Sequence, residues 1–224
     1  MELYEELLTE LNRLSDSGYA CFHSKLLNNP NIKVIGVRTP LLRKLSKEYK
    51  DSFNELLTLP DEYYEVTFLK LIVASSLPFE EFIEVVDRCV DLIDNWACCD
   101  CFKAVCIKKH KEEFLPFVKA YLGVNREFYQ RYALVTLLHF YVEEEYLNTI
   151  FESVERADTS YYYVHMAAAW LIAEVIVKHY DKGVEYLKLN RLDRTTHNKA
   201  IAKACESFRI TQEQKMELKG FKRP

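Results

Sequence analysis

Ile93-Asp94-Asn95-Trp96-Ala97-Cys98-Cys99-Asp100 sets an aromatic ring and a carboxylate four residues apart. On a helix that spacing stacks the two side chains on one face, a turn apart. Arg131 follows 35 residues later, in Phe128-Tyr129-Gln130-Arg131-Tyr132-Ala133-Leu134-Val135, and Trp170 stands another 39 residues on. Each falls at a comparable place on the second helix of an expected pair, and a period of about 40 residues suits HEAT-type pairs. The spacing predicts an all-α chain: an α-solenoid or superhelix of HEAT-like helix pairs with a concave groove, in a single domain over 1–224.

The rest of the chain reads the same way. Leu3, Leu7, Leu8, Leu11 and Leu14 follow helical spacing up to Ser17-Gly18. Further helices are expected over about 20–27, 40–49, 61–72, 78–93, 95–109, 111–122, 126–142, 143–156, 160–178, 181–188, 194–206 and 211–219. Thr39-Pro40 reads as a cap followed by the first helical residue, and Gly123 stands where a C′ glycine belongs. Only five Gly and six Pro interrupt 224 residues, and no stretch reads as a strand. Helix after helix with short connections fits a bundle or a solenoid, and the repeat spacing favours the solenoid.

The formal net charge is −4, so the chain as a whole is not a generic polyanion binder. The charge is uneven, however: from Arg191 onward nine Lys/Arg stand against four Asp/Glu, leaving −9 on residues 1–190. No apolar run approaches the roughly 20 residues that span a bilayer, and the acidic start Met1-Glu2-Leu3-Tyr4-Glu5-Glu6 is unlike a signal peptide. Seven Cys, an odd number, fit reduced thiols in a cytoplasmic protein better than a disulfide framework.

Each candidate residue carries two readings. Trp96 with Asp100 is either a half-buried ring beside a capping or ion-paired Asp, or an aromatic wall beside a carboxylate that stabilises a developing cation. Arg131 either pairs with Asp100 or another acid, or grips a phosphate in bidentate fashion. In Tyr161-Tyr162-Tyr163-Val164-His165-Met166-Ala167-Ala168-Ala169-Trp170, one face carries Tyr163, Met166 and Trp170. It is either core or a stacking platform for nucleic acid. Cys98, Cys99, Cys101 and Cys106 with His110 have no second Cys-x-x-Cys or His pair at a zinc-ligand distance, so thiols are expected and no metal. Lys199 and Lys203, one turn apart in Thr195-Thr196-His197-Asn198-Lys199-Ala200-Ile201-Ala202-Lys203, make either a solvated face or, with the helix N-terminal amides, a phosphate contact. No Walker loop, dinucleotide turn, Gly-x-Ser-x-Gly or zincin motif occurs.

Taken in order, several motifs resemble the DNA alkylation repair enzyme family, the AlkD-like HEAT-repeat DNA glycosylases, over nearly the whole chain. They are Gly36-Val37-Arg38-Thr39-Pro40-Leu41-Leu42-Arg43-Lys44-Leu45, Asn95-Trp96 with Asp100, Gln130-Arg131-Tyr132-Ala133 and Ala169-Trp170-Leu171. The terminal His197-Asn198-Lys199-Ala200-Ile201, Cys205-Glu206-Ser207 and Lys219-Gly220-Phe221-Lys222-Arg223 are similar to the shorter branch of that family. The resemblance implies excision of positively charged N3- or N7-alkylated purines from duplex DNA without base flipping. It implies that Trp96 and Trp170 line the sugar, Asp100 stabilises the cationic sugar and orients water, and Arg131 holds the backbone. Arg38, Arg43, Lys44, Lys199 and Lys203 are the cations suited to phosphate. The expected partner is alkylated duplex DNA, with no membrane, no cofactor and a monomeric chain. A catalytically silent binder of DNA or branched DNA, and a HEAT-type protein-interaction module, are the alternatives on the same scaffold.

Overall fold

The structure, a computed structural model, describes residues 2–224. The regular structure of these residues is all helical, with no strand; a single parallel bridge joins Lys33 to Tyr63. In order the helices are α1 (Glu2–Arg13), α2 (Ser17–Leu27), α3 (Thr39–Leu45), α4 (Phe53–Thr58), α5 (Tyr64–Ala74), α6 (Phe79–Asp91), α7 (Trp96–Cys101), α8 (Lys111–Leu122), α9 (Glu127–Phe140), α10 (Leu147–Arg156), α11 (Tyr162–Lys178), α12 (Tyr180–Lys188), α13 (Arg194–Glu206) and α14 (Gln212–Gly220). Short 3₁₀ turns cover Val105–Lys109 and Glu144–Tyr146. The chain divides into two compact units, Met1–Ile107 and Lys108–Pro224.

In the first unit, α5 packs against α3, α4, α6 and α7, and all eleven of its residues are buried. A helix buried all round shows no apolar stripe, and Tyr64-Glu65-Val66-Thr67-Phe68-Leu69-Lys70 takes its polar residues into the core with the rest. Two of those residues are charged, and each is matched. Glu65 Oε1 accepts hydrogen bonds from the amides of Gly36 (2.7 Å) and Val37 (3.2 Å), and Oε2 from Ile35 (3.0 Å). Lys70 Nζ donates to the Leu59 carbonyl (2.5 Å) and to Asp61 Oδ1 (2.7 Å). Gly36 sits at φ 102°, and a Cβ there would lie 2.5 Å from the Asp16 carbonyl oxygen. Only glycine meets both demands. Glu65 therefore pins the extended segment that delivers Arg38 and α3.

In the second unit, α11 packs against α9, α12 and α13, with Ala167, Ala168 and Ala169 buried. Gly183 lets α12 close on α11: a Cβ there would stand 2.8 Å from Ile176 Cα. The start of α11 is gripped from α9. Glu127 Oε1 accepts from the Tyr163 amide (2.7 Å), and Arg131 Nη1 donates to the Tyr163 carbonyl (2.8 Å). Gln130 bridges the neighbouring loops, accepting from the Asp158 amide (2.7 Å) and donating to the Val124 carbonyl (3.0 Å).

Several expected boundaries move. The helix expected over 95–109 ends at Cys101, because Phe102 leaves helical geometry (ψ 76°) to bury its ring 5.8 Å from that of Phe82. Arg38, not Thr39, is the cap of α3, with Pro40 second in the helix. Gly123 has φ −81°, so it is a right-handed C-cap after Leu122 and not a left-handed C′ glycine. The helix expected over 40–49 stops at Leu45, and α4 is an addition.

Replacing Glu65 by Ala strands two buried amides and a part-buried one, so the unfolding free energy in urea should fall by about 3–5 kcal/mol. A loss below 1 kcal/mol would contradict the role given to this carboxylate. Burial also holds the imidazoles of His23, His165 and His197 below the usual histidine range. The unfolded chain therefore takes up more protons as pH drops below about 6.5, and the stability present at neutral pH is lost progressively there. The melting temperature should decline from pH 7.5 to 5.5; a flat profile contradicts it.

Candidate nucleic-acid interface

Asn95 opens α7. Its side chain is buried, and Oδ1 accepts from the Cys98 amide at 2.9 Å, fixing the first turn. Ala97, Cys98 and Cys99 then face the core, while Trp96 and Asp100, four apart, are both half-buried on the other side. Trp96 is tied to α2: its indole Nε1 donates to the Leu26 carbonyl at 3.3 Å. Asp100 lines a cavity of about 460 Å³ whose walls also carry Arg43, Cys101, Lys103 and Cys106. Arg43 and Asp100, singled out for different reasons in the sequence, thus meet in one cavity, whereas Trp96 is not among its lining residues. Lys103 was missed because the break after Cys101 is invisible in a run that reads as continuous helix.

That cavity combines a carboxylate, two cations and two thiols. Burial pushes the Cys101 thiol up, and the Arg43 guanidinium beside it only partly offsets this. Cys98 is driven well above the ordinary thiol range by complete burial. Among the described residues no group of three or more His, Cys, Asp or Glu is placed to hold a metal ion. Of the other cations of this unit, Arg38 pairs with Asp16 (Nη2 to Oδ2, 2.8 Å) and lies over the Tyr19 ring at 4.9 Å. Lys44 is exposed on α3.

In the second unit Arg131, Met166, Trp170 and Lys203 line a cavity of about 260 Å³. Arg131 is only 5% exposed, and its guanidinium is 5.7 Å from the Tyr163 ring centre. One of its nitrogens is committed to a backbone carbonyl, so the bidentate phosphate grip weighed from sequence is not open to the whole fork. Trp170 is 38% exposed and meets the edge of the His139 ring at 6.2 Å. Tyr163 turns instead toward Phe128 (5.4 Å). Arg131 is fifth in α9, Trp170 ninth in α11 and Trp96 first in α7, so their places along the helices differ more than the even spacing suggests.

Lys203 is bound to Glu206 at 2.8 Å, while Lys199 lines a neighbouring cavity. The amides at the start of α13 are already used: Asp193 Oδ1 accepts from Thr195 (2.9 Å) and Thr196 (3.0 Å). Anion binding by those amides is therefore ruled out as Asp193 stands, and any phosphate contact there falls to side chains.

No helix among the described residues is long and apolar enough to cross a membrane. A search of curated proteins returns no match to the chain. The family model for the DNA alkylation repair enzyme, by contrast, matches residues 7–204, which includes every helix from α2 to α12, all of the cavity-lining residues of α7, α9 and α11, and Lys203 of α13. On that match the chain belongs to the DNA alkylation repair enzyme family.

Proposed function

We propose that the chain is a DNA N-glycosylase that releases positively charged N3- or N7-alkylated purines from duplex DNA, on a solenoid of HEAT-like helix pairs. The observation that carries the reading is Asp100: a half-buried carboxylate on the wall of a cavity that also presents Arg43 and Lys103. The successive packing of α9, α11 and α13 supports the solenoid.

The chemistry suits such a site. A cationic purine leaves as a neutral base, so it needs little protonation and need not be drawn into a deep pocket. The harder task is to stabilise positive charge on the sugar as the glycosidic bond breaks. A fixed carboxylate does this electrostatically, and it also orients the water that attacks the anomeric carbon. Asp100 is assigned that role, with Trp96 and Trp170 as apolar walls for the sugar. Arg131 sets the wall beside Trp170 and supports the backbone near the lesion. Arg38, Arg43, Lys44, Lys199 and Lys203 neutralise phosphates; Arg38 and Lys203 do so from within existing ion pairs.

A second reading, a catalytically silent DNA-binding protein or a protein-interaction module on the same scaffold, is favoured by the charge of −9 over residues 1–190. Duplex affinity depends on neutralised phosphates and falls with salt. The readings separate on a duplex containing N7-methylguanine. The wild type should release the base, and Asp100→Asn should lower the single-turnover rate by about 10²–10³ while leaving DNA affinity and melting temperature nearly unchanged. Binding without base release would sink the enzyme reading; full activity in Asp100→Asn would make Asp100 structural.

A further inference from the structure

The segment after α14 folds back over α13 as a strap. The Phe221 carbonyl accepts from His197 Nε2 at 2.9 Å. Asn198 pairs with Arg223 in both directions, donating from Nδ2 to its carbonyl (2.7 Å) and accepting from its amide at Oδ1 (2.9 Å). The Arg223 guanidinium donates to the Leu192 carbonyl, and Arg194 Nη1 holds the Pro224 oxygen at 2.8 Å. Five polar contacts thus hold one short segment in a single place, and it lies beyond the residues that the family model matches.

The strap closes one side of a cavity of about 500 Å³, which also takes in Tyr162 and His165 of α11 and Arg194 and Lys199 of α13. Arg194, Lys199 and Arg223 bring three positive charges to its walls, and no Asp or Glu side chain lines it among the described residues. Asp193, the nearest acid in sequence, is turned to the amides that it caps. Arg194 and Arg223 each spend one nitrogen on a backbone oxygen, of Pro224 and Leu192, which leaves the Lys199 ammonium and the remaining nitrogens of the two forks to a ligand. Tyr162 adds a ring that is 63% exposed.

Met166 lines both this cavity and the one that contains Arg131, Trp170 and Lys203. Lys203 faces the first and Lys199 the second, four residues apart on α13, or about 6 Å along the helix axis. Two adjacent cavities with a shared wall, each lined by one lysine of α13, make a track along α11 and α13.

We propose that the strap cavity is a second subsite for the DNA backbone, in which Arg194, Lys199 and Arg223 hold a phosphate adjacent to the nucleotide at Trp170, with Tyr162 against the neighbouring sugar or base. Charged side chains from two segments make the site, with no part played by the capped amides of α13. The proposal rests on the nucleic-acid reading above.

The test is the affinity of the full chain for an undamaged duplex at several salt concentrations, with Arg194→Ala, Arg194→Lys and Tyr162→Ala beside the wild type. Thermal melting checks that each variant folds. Arg194→Ala should weaken binding about 5–10-fold and reduce the slope of log K against log salt by about 1, and Arg194→Lys should restore the slope. Tyr162→Ala should weaken binding with the slope unchanged. Wild-type affinity and slope in Arg194→Ala would overturn the subsite and leave the glycosylase reading standing. Should the wild type itself show no salt-dependent DNA binding, the glycosylase reading and the DNA subsite fail together.

Discussion

A carboxylate buried away from water must find its partners inside the protein, and Glu65 finds three in a row. The amides of Ile35, Gly36 and Val37 converge on it, at a left-handed turn that glycine alone fits. The carboxylate and the turn depend on each other: without Glu65 the amides are orphaned, and with any side chain at residue 36 the turn collides with Asp16 and Ala20. The turn leads directly into Arg38 and then α3, which carries Arg43 to the Asp100 cavity. The second unit uses the same device at the start of α11, where Glu127 and Arg131 take the amide and carbonyl of Tyr163. In both units, polar side chains on a buried helix set the backbone from which the candidate site is built.

This bears on what Arg131 does. It is nearly buried and bound to a carbonyl, so replacing it disturbs α11 as well as any contact with DNA. Asp100 is the cleaner reporter of chemistry. It is half-buried, it ends a face whose inner side is packed by Ala97, Cys98 and Cys99, and its cavity presents cations that a phosphate would also meet. The net charge of −4 places the burden of DNA attraction on local clusters, and the α13 region with the strap is the most basic of these.

The all-helical class was legible in the sequence because breakers are few and apolar spacing is regular. The family was legible in the order of its motifs, and the match over residues 7–204 bears it out. Trp96, Asp100, Arg131 and Trp170 stood out because a charge or indole in an apolar helix demands a partner. By the same signal Glu65 and Lys70, two charges among the apolar residues of α5, could have been found. Other features depended on tertiary contacts and left no local mark. Phe102 breaks a helix to reach Phe82, Asp193 occupies the amides that seemed open to an anion, and the strap is ordered by α13.

The central claim is that Asp100 stabilises positive charge on the sugar. It is tested most directly by the affinity for a duplex in which a protonated pyrrolidine ring replaces the target sugar, compared with an uncharged tetrahydrofuran ring. A site complementary to a cationic sugar binds the charged analogue more tightly. The wild type should prefer the pyrrolidine duplex by about 10²-fold or more, and Asp100→Asn should lose most of that preference. Equal affinity of the wild type for both duplexes would contradict the account.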